Sequence, residues 1–211
     1  MPAKAFYEMD RIGTDESGKG SYFGPLVVAG VKVSEDEERL LTDLGVRDSK
    51  KVAASNIKAL SESITTNCIH SIVLITPKRY NELYSSMRTI NGFLLWAHKT
   101  VIKNILKETE CEYVVIDDFG SAKLITASFP KIKFDIRKGA EDDIAVAAAS
   151  IIARDRFLTW FTKAEREYGI ALPIGINDDT ISCGKVLIEK YGRDMLREVA
   201  KLHFRTTDKI L

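Results

Sequence analysis

Two adjacent carboxylates, Asp15 and Glu16, stand directly before a glycine-rich turn and a buried-strand run, and this arrangement limits most of what the chain can become. The stretch reads Gly13-Thr14-Asp15-Glu16-Ser17-Gly18-Lys19-Gly20-Ser21-Tyr22-Phe23-Gly24-Pro25 and leads into Leu26-Val27-Val28-Ala29-Gly30. The apolar, β-branched run predicts a strand over Leu26 to Val33. Within a strand Asp15 and Glu16 face opposite sides, but at a strand end that turns both can approach one site. Gly18 and Gly20 leave room for a partner's backbone, and Lys19 adds a cation beside the acids. Acids at a strand end, beside glycines open to a polyanion, point to metal-assisted phosphate chemistry. Two other readings exist. A plain turn with solvated acids is one. A phosphate-binding P-loop is the other: Gly13 to Lys19 fits G-x-x-x-x-G-K, but Gly20 stands where Ser or Thr should hold magnesium, and a strand follows instead of a helix.

The 211 residues suit one catalytic domain over 1–211, with a helical appendage from about 165 to 211. Lys and Arg number 31 against 30 Asp and Glu, which excludes a uniformly basic nucleic-acid binder, so any polyanion site is a local patch. Cys68, Cys111 and Cys183 are scattered and form no C-x-x-C pair, which favours a reducing compartment over a disulfide framework or a zinc site. No apolar run reaches membrane-spanning length. The expectation is a cytoplasmic monomer.

Along the chain, Ser34 caps a short acidic helix from Glu35 to Leu44, and a basic loop follows through Arg47, Lys50 and Lys51. Ala53 to Thr65 has helical spacing, Ile69 to Thr76 reads as a strand ended by Pro77, and Arg79 to Lys107 reads as one long helix. His98 within it has no metal-like neighbour and reads as structural, as does His203. Tyr113-Val114-Val115-Ile116 is a strand buried on both faces, and Asp117 closes it at the C-terminal end, where open α/β sheets place ligands. Asp118 reads as an exposed turn residue. Lys131 to Arg137 alternates as an edge-like strand. The acidic loop Glu141-Asp142-Asp143 precedes a strong helix from Ile144 to Tyr168, stopped by Gly169. Helices near Asp179–Tyr191 and Arg193–Lys201 close the pattern.

Asp15, Glu16, Asp117 and one of Glu141 to Asp143 can converge at one end of such a sheet. Carboxylates packed together raise one another's pKa, and divalent cations relieve that repulsion. Hard oxygen donors suit Mg2+ or Mn2+, and a pair of such ions serves phosphodiester hydrolysis. With only His70, His98 and His203 in the chain, no Ser–His–Asp set competes.

These residues resemble the type 2 ribonucleases H. The resemblance rests on Asp15-Glu16-x-Gly18-Lys19-Gly20, Asp48-Ser49-Lys50, Ile116-Asp117-x-Phe119 and Ala147-Ala148-Ala149-Ser150-Ile151-Ile152-Ala153-Arg154, which run in the family's order. Tyr22-Phe23-Gly24-Pro25, Leu172-Pro173-x-Gly175 and Ala200-Lys201-Leu202-His203-Phe204 are similar to ribonuclease HIII signatures, and the Leu172–Asp178 loop lacks the tyrosine usual in ribonuclease HII. The resemblance implies an α/β, RNase H-like fold: a five-stranded mixed sheet flanked by helices, with C-terminal helices appended. It implies metal-dependent cleavage of the RNA strand in RNA–DNA hybrids through a two-metal site. Asp15, Glu16 and Asp117 carry over as metal ligands, with Glu141 or Asp142 as the fourth. Gly18, Lys19 and Gly20 carry over as the loop facing the RNA, and Lys50, Ser150 and Arg154 as further substrate contacts. Two departures stand out. Counting back from Ser150, the family's last acid falls on Ala140, one place before Glu141. The N-terminal substrate-binding domain usual in ribonuclease HIII is expected to be absent. Both departures motivate an alternative, a catalytically inactive hybrid-binding module.

Overall fold

The fold is seen in a computed structural model that describes residues 9–47 and 52–211. The Asp48-Ser49-Lys50 motif, and with it the expected contact Lys50, lies outside the described residues. Five strands, β1 (Arg11–Ser17), β2 (Leu26–Val33), β3 (His70–Ile75), β4 (Tyr113–Asp117) and β5 (Lys133–Arg137), form one sheet in the order β3-β2-β1-β4-β5. β1 runs parallel to β4, with Thr14 opposite Ile116, and β4 runs parallel to β5, with Asp117 opposite Arg137. The short segment between β1 and β2 is too brief for a parallel crossover, so those two strands are antiparallel and the sheet is mixed. Every residue of β2 is buried, as its unbroken apolar sequence requires.

The helices are α1 (Glu35–Asp43), α2 (Ala54–Asn67), α3 (Pro77–Met87), α4 (Ile90–Glu108), α5 (Ile144–Tyr168), α6 (Asp178–Tyr191), α7 (Met195–Val199) and α8 (Thr206–Ile210). Ser34 and Glu37 form a capping box at the start of α1: the Glu37 amide donates to the Ser34 hydroxyl, and the Ser34 amide to the Glu37 carboxylate. The single helix expected over Arg79 to Lys107 is two. Arg88 adopts a left-handed conformation, φ 57°, and its amide closes α3 on the Tyr84 carbonyl. Pro77, expected only to end a strand, also opens α3 at its first turn, with the Thr76 hydroxyl accepting from the Arg79 amide.

The chain divides into two compact units. One comprises Met1–Ser17, Val28–Val73 and Asn91–Asp155, the other Gly18–Val27, Leu74–Ile90 and Arg156–Leu211. In the first, the alternation of β1 assigns each side chain to a helix. Arg11, Gly13 and Asp15 face α5, while Thr14 and Glu16 face α4. Arg11 Nε donates to Asp143 Oδ2 at 2.6 Å, just before α5. Gly13 is the point of closest approach: a Cβ there would sit 2.2 Å from both the Ala145 carbonyl carbon and the Val146 nitrogen. Those are helix backbone atoms that cannot rotate aside. Gly13→Ala is expected to lower stability by about 1–3 kcal/mol, read as an earlier midpoint in urea.

In the second unit the segment between β1 and β2 is fastened to residues far along the chain. The Tyr22 amide donates to the Gly175 carbonyl at 3.2 Å, the Gly24 amide to Val199 at 2.9 Å, and the Lys201 amide to Tyr22 at 2.9 Å. Lys201 is fully buried, and its Nζ donates to the Gly24 carbonyl at 2.6 Å. Burial lowers the Lys201 ammonium from 10.5 to about 7. The unfolded chain therefore binds more protons than the folded one between those values, and stability rises with pH there. Cys68, pushed up to about 12 by burial, opposes this only above its ordinary value of 9.0. Between about pH 8 and 9 the midpoint of thermal unfolding should climb in this protein and climb less in Lys201→Met.

Candidate active site

The acid site lies in the first unit, at the C-terminal ends of β1 and β4. The parallel register pairs Thr14 with Ile116, so the next residues, Asp15 and Asp117, end adjacent strands side by side. Gly13 is opposite Val115, and Val115 packs with Ala140 and Val146, so Asp15 and Asp117 share the α5 side of the sheet. Burial pushes the Asp15 carboxyl up to about 7, with further upward pushes from Glu16 and Asp117. The Glu16 amide and the Ser150 hydroxyl each donate to Asp15 and pull the other way, without reversing the shift. Asp117 Oδ1 accepts from the amides of Gly139 at 2.9 Å and Ala140 at 3.4 Å, which ties the strand end to a short 3-10 turn over Ala140–Asp142.

Glu16 turns to the other side, toward α4. Its Oε2 is 3.4 Å from Nε2 of His98, a residue with no exposed surface. His98 Nδ1 is 2.8 Å from the Thr14 hydroxyl, and the ring stacks on Phe119 with centroids 4.9 Å apart. This imidazole was expected to be structural; it is buried, and it also touches an acid of the site. One signal was present: His98 shares the face of Leu94, Val101, Ile102 and Ile105, and a buried ring nitrogen must find partners.

The three acids after β5 have separate environments. Asp143 is buried, and its Oδ1 accepts from the amides of Ala145 at 2.8 Å and Val146 at 3.4 Å, so it caps α5 while pairing with Arg11. Asp142 Oδ1 pairs with Arg137 Nη2 at 2.6 Å. Ala140, where the counted position of the last acid falls, is fully buried in the core. Glu141 is half-buried and makes no hydrogen bond or ion pair among the described residues. Asp118, expected to be an exposed turn residue, is half-buried, and its Oδ1 accepts from the Gly120 amide.

Of the expected substrate contacts, Ser150 is buried and turned to Asp15. Arg154 is half-buried, and its Nε has no hydrogen-bond partner among the described residues. Gly18, Lys19 and Gly20 belong to the second unit. Gly18 takes φ 88°, and a Cβ on it would meet the Pro25 carbonyl oxygen at 2.2 Å, whereas Gly20 faces open space. Among the described residues no three Asp, Glu, His or Cys side chains are drawn together closely enough to hold an ion as they stand. The donor set nevertheless suits a hard divalent cation. Burial, with Glu16 and Asp117 adding to it, keeps Asp15 largely protonated below pH 7, and added positive charge favours its ionised form.

The ribonuclease HII family pattern matches residues 12–207. The chain belongs to the type 2 ribonuclease H family. Within that family it is similar to proteins called ribonuclease HIII. It is 40% identical over 204 residues to that of Protochlamydia amoebophila, spanning 95% of this chain and 68% of the relative. It is 38% identical over 208 residues to that of Chlamydia felis, spanning 95% and 69%. Among solved structures, Bst ribonuclease HIII in complex with Mn2+ superimposes with a TM-score of 0.90 at 30% identity, covering 99% of this chain and 71% of that one. Aquifex aeolicus RNase H3 gives 0.79 at 28% identity, covering 95% and 73%. The expected five-stranded mixed sheet with flanking helices is thus the type 2 ribonuclease H fold. Among the described residues no helix is long and apolar enough to cross a membrane.

Proposed function

We propose that this chain is a metal-dependent endoribonuclease that cleaves the RNA strand of RNA–DNA hybrids. The observation that carries the reading is Asp15, a carboxyl held near pKa 7 at a strand end by burial and by Glu16 and Asp117. Such a group is unfavourable as an isolated anion and suited to a cation-binding site. Asp15, Glu16 and Asp117 would hold a pair of Mg2+ or Mn2+ ions. Glu141 would be the fourth donor, because Asp142 is engaged by Arg137 and Asp143 by Arg11 and the α5 amides. When bound, the ions supply positive charge for the phosphodiester and a water of lowered pKa. The chain's own residues do the rest. Ser150 and the Glu16 amide orient Asp15, and the Gly139 and Ala140 amides orient Asp117. Gly18, Lys19 and Gly20 present backbone groups and one cation to the sugar-phosphate chain, where 2′-hydroxyls distinguish RNA from DNA. Arg154 and Lys50 are assigned to phosphates from their motifs, since a guanidinium and an ammonium suit that anion. Three unpaired cysteines accord with a reducing, cytoplasmic setting, and a monomer suffices because the acids come from one chain.

The test is digestion of a labelled RNA–DNA hybrid with Mg2+ or Mn2+, comparing the chain with Asp15→Asn and Asp117→Asn. Cleavage by the unmodified chain alone is expected, and equal cleavage by all three would overturn the proposal. The burial of Ala140 favours a second reading, a hybrid-binding module without turnover. Hybrid retention in a gel with no product in either metal would establish it.

A further inference from the structure

We propose that His98 is a positioning residue for the acid site: its imidazole fixes the orientation of Glu16 by bridging Glu16, Thr14 and Phe119. The inference rests on the reading of Glu16 as a metal-holding residue. One buried ring makes three contacts with three parts of the site. Its Nδ1 is 2.8 Å from Thr14 Oγ1, its Nε2 3.4 Å from Glu16 Oε2, and its face lies against Phe119 at an interplanar angle of 23°. Thr14 and Glu16 are alternate residues of β1, and Phe119 follows Asp117 by two. The ring therefore links both strand ends that carry the acids.

The contacts fix the proton. A carboxylate oxygen faces Nε2, and two lone pairs facing each other repel, so Nε2 carries the hydrogen. Nδ1 is then the acceptor, and the Thr14 hydroxyl donates to it. At 3.4 Å the Nε2 contact is longer than a normal hydrogen bond, and Nε2 has no other partner among the described residues. A buried ring nitrogen whose one acidic neighbour lies 3.4 Å away, without a hydrogen bond in this structure, is unfavourable unless that carboxylate is kept close to it. The ring thereby restrains Glu16, and Thr14 and Phe119 restrain the ring. A core-filling histidine could satisfy its ring nitrogens on any buried polar group, whereas both nitrogens of His98 are turned to the strand that carries Glu16.

The experiment measures Mn2+ binding to the full chain by calorimetry, alongside hybrid cleavage, for His98→Phe, His98→Gln and His98→Asn. Phenylalanine keeps an aromatic ring and removes both polar contacts. Glutamine places a donor near the former Nε2, and asparagine places one near the former Nδ1. Outer-shell partners of ligands typically contribute 10- to 100-fold in affinity, so His98→Phe should bind Mn2+ about 10- to 100-fold more weakly and lose kcat with little change in KM for the hybrid. His98→Gln should recover most of the affinity and His98→Asn should not. The proposal fails if His98→Phe binds Mn2+ as the unmodified chain does, or if glutamine and asparagine are equally impaired. Should the phenylalanine variant not fold, the glutamine–asparagine difference decides alone. Glu16→Gln separates the two layers of the argument: if it binds Mn2+ normally, the reading of Glu16 falls, whereas normal binding only in the His98 variants removes the positioning role alone.

Discussion

Asn in place of Asp15 should abolish hybrid cleavage and, in the metal-free protein, raise stability. The loss follows from removing a donor at the centre of the acid cluster. Electrostatic stabilisation by a bound ion is a matter of several kcal/mol, so a fall of at least ~1000-fold in kcat is expected. The gain follows from the burial of Asp15, to which Glu16 and Asp117 add. Asp15 has a folded pKa of about 7 against an ordinary 3.8, so the folded state binds more protons than the unfolded one between those values. Stability therefore falls as pH rises through that window, and the full penalty applies above about pH 7. Asparagine keeps the shape and cannot ionise. The variant should melt higher above pH 7, by about 1–2 kcal/mol or ~2–8 °C, with the difference shrinking toward pH 4. Scanning calorimetry in EDTA at pH 4, 6 and 8 checks this, and a pH-independent difference would show that folding does not raise the Asp15 carboxyl.

Loss of Asp143 should be the most damaging single change to the fold. Its carboxylate pairs with buried Arg11 and caps α5 through two amides. Asp143→Ala takes from the buried guanidinium its 2.6 Å carboxylate partner, although Glu38 still pairs with it at 2.8 Å. Breaking one side of a buried pair lowers stability by about 3–5 kcal/mol, or ~6–20 °C in a chain of this length. Removing both charges is gentler, because no buried ion is stranded. The double variant Arg11→Met/Asp143→Ala should therefore be more stable than Asp143→Ala alone. Additive losses in urea unfolding would show that the helix cap, and not the ion pair, is what Asp143 contributes.

What could be read from the sequence, and what could not, divides by the range of the forces involved. β2 was legible to the residue, because a strand buried on both faces writes a continuous apolar run. α1 was legible from Ser34, a capping residue directly before an acidic first turn, and the structure adds Glu37 to make a capping box. The break at Arg88 was not, since Ser85-Ser86-Met87-Arg88-Thr89 contains neither glycine nor proline and the apolar spacing continues across it. Short α8 and the 3-10 turn over Ala122–Ser128 carry too few residues for a periodic pattern. In the site, Asp15, Glu16 and Asp117 stood out as charges at strand ends. The distinct environments of Glu141, Asp142 and Asp143 could not be separated, because Asp143 depends on Arg11, 132 residues away, and Asp142 on the exact turn that brings Arg137 against it. The grip of His98 on Glu16 was hidden because its two polar partners, Thr14 and Glu16, lie more than eighty residues away.

The fastening of Gly24 by Lys201 has a consequence for how the molecule comes into being. The two residues are 177 positions apart. A ribosome adds about 5–20 residues per second, so Gly24 waits on the order of 9–35 s for its partner to be made. Val199 and Lys201, which also bond the Gly24 amide and the Tyr22 carbonyl, arrive equally late. The glycine turn is thus among the last features of the nascent chain to set, long after the strand bearing Asp15 has been synthesised. A half-made copy holds the acids without a finished turn beside them in sequence, and gains its full set of restraints only as synthesis reaches the KLHF segment.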